Sequence, residues 1–197
     1  MHSTSFAPGL VLAFVVALAP RASAQTAPKE QPSDKPLETP TRALEFYGAT
    51  GYTQGFGELQ SGVGMKHVIT PGFATEIGAG YRIDPRWAVT LVGQYAEFDA
   101  ERADTARGLV LGAAVAYHAR PYDKWDPWVQ VGAGYRLLWE NNVAPAPDLL
   151  THGFELAKVT IGLDTRMSRD ISFSPVVGVD LTLPLWQATN GQRSTAI

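Results

Sequence analysis

Four histidines, His2, His67, His118 and His152, are the side chains of this 197-residue chain whose ordinary titration falls near neutral pH, and cysteine is absent. A nucleophilic mechanism needs a base within hydrogen-bond reach of a hydroxyl or thiol. None of these histidines lies two residues from a serine in the C-terminal part of the chain, so strand spacing supplies no such pair there. His67 and His152 read as loop residues without the paired spacing of metal ligands, and His118 reads as an inward or rim position. Asp123, Asp126 and Asp148 fall in stretches that read as turns, where a short carboxylate is favoured for backbone reasons. No glycine-rich phosphate loop precedes a helix, because no helix is predicted. Neither a catalytic residue nor a metal nor a cofactor is expected from this set.

A second set of charges is more informative. Glu76, Arg82, Arg136, Lys158, Asp164, Arg166 and Asp180 recur among glycines, alanines, serines and threonines at alternate positions of extended segments. Charges placed inside a fold persist only when paired, so Glu76, Asp164 and Asp180 are expected to meet Arg82, Arg136, Lys158 and Arg166. The role of such a network is structural. A net charge of -3 and the lack of any basic cluster argue against a nucleic-acid partner.

The elements that must position these charges follow from periodicity. The apolar run Leu10 to Ala19 is too short to span a bilayer as a helix and ends in an A-x-A site at Ala22 to Ala24. Residues 1–24 therefore read as a secretory signal, although neither Lys nor Arg precedes the run. Residues 25–42 are polar, lack aromatics and carry Pro28, Pro32, Pro36 and Pro40, the composition of an extended tether.

Beyond Arg42 the period is two. Strands are predicted over Leu44 to Thr53, Phe73 to Ile83, Trp87 to Phe98, Gly108 to His118, Trp128 to Trp139, Phe154 to Arg166 and Ile171 to Leu183. Each is long enough to cross a bilayer when tilted. Short turns at residues 84–86, 120–127 and 167–170 alternate with longer connections at 54–72, 99–107 and 140–153. That alternation is the pattern of an up-and-down barrel, with the short turns on the periplasmic side.

One face of these strands carries Phe73, Ile77, Trp87, Leu91, Leu111, Val131, Tyr135, Ile161 and Val179, with aromatics toward the strand ends. The other carries the charges among small residues, which suits a crowded polar interior. Pro175 cannot donate a ladder hydrogen bond and predicts a bulge or unpaired stretch. The predicted fold is all-β: an antiparallel up-and-down transmembrane β-barrel of residues 43–197. Seven strands are found, whereas a closed bacterial barrel needs an even number. The expectation is that the chain stops short of an eighth strand, rather than that Gly62 to Thr70 supplies it.

The segments TEIGAGYRIDPRWAVTLVGQY, WVQVGAGYRLLW and HGFELAKVTIGLDTRMSRDISFSPVVGVDL resemble the small OmpA/OmpX-like outer-membrane barrel domains of proteobacteria. The resemblance covers most of Ala43 to Leu183 and is one of strand pattern. It implies eight strands, a filled interior, variable outer loops and no transferable catalytic residue. The partners expected on this reading are outer-membrane lipid and lipopolysaccharide, the barrel assembly machinery during biogenesis, and an unidentified ligand of the outer loops. A structural or surface-interaction role leads. A narrow passive channel, an enzyme resembling lipid A deacylase barrels and a soluble lipocalin-like calyx are the alternatives.

Overall fold

A computed structural model describes residues 7–18, 41–56, 58–60, 63–64, 71–98, 105–141, 148–168, 170–189 and 192–195. The elements in chain order are β1 (Ala7–Leu18), β2 (Ala43–Gly55), β3 (Glu58–Gln60), β4 (Val63–Gly64), β5 (Gly72–Arg82), β6 (Trp87–Phe98), β7 (Thr105–His118), β8 (Trp125–Asn141), β9 (Leu149–Arg166), β10 (Ile171–Thr189) and β11 (Gln192–Thr195). Every element among the described residues is a strand.

The strands form because β-branched and aromatic residues alternate with small or polar ones, so that each strand has one apolar face and one crowded polar face. β2, β5, β6, β7, β8, β9 and β10 pair in that order, each antiparallel to the last, as a meander. β1 pairs with β2 on one side and β10 on the other, which closes the sheet into a ring. β11 pairs with the end of β10. The pair β3–β4 forms a separate two-stranded ladder in the β2–β5 connection, so Val63 and Gly64 lie outside the ring.

The alternation appears directly in burial. Along β6, Ala88, Thr90, Gln94 and Ala96 are buried while Trp87, Val89, Leu91 and Tyr95 are exposed. Ile77, Leu91 and Leu111, in the middle of their strands, expose 67%, 67% and 61% of their surface. The interior is correspondingly poor in apolar side chains, with Ala49 and Val176 as its small hydrophobic cluster beside Tyr47 and Trp128.

Among the closely packed glycines, Gly78 and Gly162 back onto aromatic rings. A Cβ at Gly78 would stand 2.0 Å from the ring of Tyr47, and one at Gly162 would stand 2.4 Å from the indole of Trp128. Both rings occupy the space that a side chain at the glycine would need. At Pro175 the β9–β10 register passes from Phe173 opposite Thr165 to Val176 opposite Gly162, with neither Ser174 nor Pro175 paired to β9. The missing proline N–H accounts for that break.

Several expectations are corrected. β9 begins at Leu149 and β10 runs to Thr189, so His152 lies in a strand and Leu185 to Thr189 are not a tail. The pairing of Leu149 to His152 with Trp186 to Thr189 crosses a register shift at Pro184, and that shift interrupts the simple alternation. Asp126 lies within β8 rather than in a turn. The chain also has strand beyond β10, since β11 pairs Gln192 to Thr195 with Trp186 to Thr189. Ala7–Leu18, inside the segment that reads as a secretory signal, is placed as a strand of the ring. The tether over residues 25–40, His2 and His67 lie outside the described residues.

Candidate functional site: a layered polar interior

The interior is built from inward positions of the meander strands, stacked as three groups from the short-turn end to the long-loop end. At the short-turn end, Arg82 closes β5 and reaches Glu45 on β2 at 2.5 Å, the Pro85 carbonyl at 3.0 Å and His118 Nε2 at 3.0 Å. A guanidinium can only donate, so Nε2 of His118 is the acceptor. The ring proton therefore sits on Nδ1, which donates to Asp126 Oδ2 at 2.8 Å. Asp126 is fully buried, and its other oxygen accepts the Arg120 backbone N–H at 2.9 Å. Arg166 stands 3.9 Å from the same carboxylate.

Next to this group, Trp128 donates from Nε1 to Asp164 at 2.8 Å and to Ser174 at 3.1 Å. Asp164 also lies 3.9 Å from His118. His118, Asp126 and Asp164 together offer three ligand atoms within 4.8 Å of one another, the spacing of a metal site. Their hydrogen bonding argues against that use. Both imidazole nitrogens are committed, and Arg166 already supplies positive charge beside Asp126.

The middle group crosses the interior. Lys158 on β9 reaches Glu76 on β5 at 2.5 Å, with β6, β7 and β8 intervening in sheet order, so the bridge spans the ring instead of joining neighbours. Tyr47 donates to the second oxygen of Glu76 at 2.9 Å, and Gln94 Oε1 accepts from Lys158 at 3.4 Å. Toward the long-loop end, Arg136 on β8 holds Glu155 at 2.6 Å and Asp180 at 2.9 Å, and Thr182 donates to Asp180 at 3.3 Å. Glu155 and Asp180 are 3% and 2% exposed.

Of the seven charges singled out from sequence, Glu76 and Lys158 meet each other, Arg136 meets Asp180, and Asp164 sits by His118 and Trp128. Arg82 and Arg166 turn instead to Glu45 and Asp126. Glu45, Tyr47, Asp126, Trp128 and Glu155 are members of the network that alternation alone did not select. Glu155 has a specific reason. Counting by twos from Lys158 places it outside, but a register shift in β9, where Leu181 opposes Ala157 and Thr182 opposes Glu155, returns it to the interior.

The outward surface carries aromatics toward both ends of the strands. Trp87 packs on Tyr117 with ring centroids 4.9 Å apart near the short turns, where Trp125 is also exposed. Toward the loops, Tyr135 meets the edge of Phe154 at 5.6 Å and donates or accepts at His152 Nδ1 at 2.9 Å, while His152 stacks on Trp186 at 5.2 Å.

These features define a class: an all-β meander curled about an ionic interior, with its apolar residues outside. No protein-family model matches the chain, and no curated protein matches it. Among solved structures it is similar to the crystal structure of Neisserial surface protein A, with a TM-score of 0.38 and 12% identity, over 89% of this chain and 96% of that one.

Proposed function

We propose that this protein is an exported outer-membrane β-barrel of eight strands, with a structural or surface-interaction role and an interior closed to solutes. The observation that carries this reading is the inversion of burial. Large apolar side chains such as Ile77, Leu91, Leu111 and Ile161 face outward, while Arg82, Lys158, Glu155 and Asp180 are buried. In water such a continuous apolar outer face would drive association, whereas in lipid it is the required surface. On β6 the aromatics Trp87 and Tyr95 are eight residues apart, which at a tilt of roughly 40° gives about 20 Å of rise, close to the height of a barrel's apolar band.

The short turns then face the periplasm, residues 1–24 act as the export signal, and the polar residues 25–42 form a periplasmic tether. The bridge from Glu76 to Lys158 across the ring, with the ionic groups on either side of it, favours a plugged interior over a passive channel. Contacts with lipid and lipopolysaccharide fall to the outer face, folding to the barrel assembly machinery, and recognition to the loops of the long-loop end.

Cell fractionation with heat-modifiable gel mobility tests the reading. Recovery in the outer membrane of a form whose mobility shifts on boiling is the expected result. Recovery in the soluble periplasm would overturn it and leave a ligand-binding calyx as the better account.

A further inference from the structure

Near the short turns, the outer face of β7, β8, β9 and β10 is hollowed. Register sets Ala119, Pro127, Leu163 and Pro175 in one row across the four strands, with Val129 and Ile161 in the row beyond it. The short or ring-closed side chains of the first row leave an apolar hollow of about 740 Å³. That is the size of a small-ligand site, roughly 300–1,000 Å³. None of its lining residues belongs to β1.

We propose that this hollow binds a monoacyl glycerophospholipid of the surrounding leaflet. The acyl chain lies in the hollow, the free glycerol hydroxyl donates to the Leu163 carbonyl, and the phosphate faces Arg86 and the β7–β8 turn. The proposal rests on the outer-membrane reading for the source of the lipid.

The carbonyl selects the ligand. In an antiparallel ladder the N–H and C=O of one residue point to the same neighbour, and successive opposed pairs alternate between bonded and non-bonded. Ala119 N–H donates to the Pro127 carbonyl at 2.9 Å, so the backbone groups of Pro127 face β7. Pro127 and Leu163 are therefore a non-bonded pair, and the backbone groups of Leu163 face β10. The residue opposite Leu163 on β10 is Pro175, whose nitrogen has no hydrogen to give. The Leu163 C=O thus receives no ladder hydrogen bond from either neighbouring strand, in a wall where acyl tails offer no donor either. A glycerol hydroxyl supplies that donor. A diacyl lipid has an ester in its place, which can only accept.

Depth and charge agree with the same ligand. Leu163 stands two residues inside the level of Trp125, about 5 Å at the rise of a tilted strand, which is where chain meets head when aromatics mark the membrane interface. Tyr117, at the rim of the hollow, accepts a hydrogen bond from Arg86 Nη1 at 3.3 Å, which fixes a guanidinium on the turn side. Asp84 beside it is spent on the backbone N–H groups of Arg86 and Trp87. The β7–β8 turn adds exposed Arg120 and Lys124 against one exposed carboxylate, Asp123. A phosphate on the head side of the glycerol meets this positive rim.

For the test, the protein is refolded into vesicles of diacyl phosphatidylcholine, whose lipids carry no N–H or O–H donor. Lysophosphatidylcholine brominated in its chain is added at low mole fraction, and in parallel its 2-O-methyl ether. Quenching of tryptophan fluorescence reads occupancy, because Trp128 lines the hollow and Trp125 stands on its turn side. The expected result is saturable quenching, with the ether binding about five to ten times more weakly for want of one hydrogen bond. Pro175→Ala returns an N–H to the ladder, so it should keep the heat-modifiable form and bind the two lipids equally. Arg86→Gln should weaken both lipids about threefold.

Equal binding of the two lipids by the native protein would overturn the proposal, and so would a preference that survives Pro175→Ala. Quenching that rises in proportion to mole fraction without saturating would also overturn it, as the signature of bulk lipid, as would an Arg86→Gln protein that binds both lipids as the native one does. Failure of the outer-membrane reading looks different: the heat-modifiable form is absent and the protein stays soluble beside vesicles. The same two lipids, titrated onto the soluble protein below their micelle concentrations, then decide for or against the hydroxyl contact.

Discussion

Replacing Lys158 with methionine isolates the interaction that spans the interior. In the native protein Glu76 receives the Lys158 ammonium at 2.5 Å on one oxygen and the Tyr47 hydroxyl at 2.9 Å on the other, with both charged side chains largely buried. Lys158→Met keeps most of the volume, removes the cation and leaves Glu76 with Tyr47 alone. Breaking a buried pair from one side costs about 3–5 kcal/mol, because the orphaned charge keeps its desolvation penalty. With a urea slope of about 2 kcal/mol per molar, the unfolding midpoint should fall by roughly 1.5–2.5 M. Removing both charges, Lys158→Met with Glu76→Gln, should return stability to within about 1 kcal/mol of the native protein, since no charge is left to solvate. Urea titration of the vesicle-folded protein, followed by the fluorescence of its five tryptophans, measures all of these. A single variant costing under about 1 kcal/mol, or a double variant that costs the sum of its parts, would refute the assignment of this pair as a buried, coupled bridge.

Other perturbations bear on different parts of the argument. Ile77→Arg should cost about 2–4 kcal/mol if that side chain faces the middle of a bilayer, whereas at a water-exposed site it would stay within about 0.5 kcal/mol; the same urea titration separates the two. Gly78→Ala drives a methyl into the Tyr47 ring and should cost roughly 1–3 kcal/mol, and Tyr47→Ala in the same chain should recover much of that loss. Asp126→Asn turns one acceptor of a buried carboxylate into a donor facing His118 or the Arg120 N–H, for about 1–3 kcal/mol, and limited trypsin digestion should then cut sooner at the Arg120 to Lys124 turn.

Strand existence and strand faces were legible because an unbroken period of two runs through most of the chain. β6 has the bounds that its sequence predicts, and the exposed Ile77, Leu91 and Leu111 stand on the face assigned to them. What alternation could not reach lies where a ladder slips or a strand end imitates a turn. Glu155 changes sides at the β9 register shift. Asp126, set between Trp125 and Pro127 next to a turn, carries no local sign of burial, and only its register opposite Asp164 and its reach to His118 reveal it. Glu45 and Tyr47 could have been found by extending the same alternation into β2, where odd-numbered residues turn inward. The strand β11 has no such signal, because a strand of four residues is too short to establish a period.

Strand length adds one more consequence. Counted from the short turns, β6 has 12 residues and β10 has 19. With the turns in one plane, seven extra residues at about 2.5 Å of rise each lift that flank roughly 18 Å above its opposite side. Among the described residues, the strand ends opposite the short turns then form a slanted parapet, tall along β8, β9 and β10 and low along β5 and β6. On the outer-membrane reading proposed above, a large particle approaching from the side of β5 and β6 would meet a hydrogen-bonded wall of strand bearing His152 and Trp186.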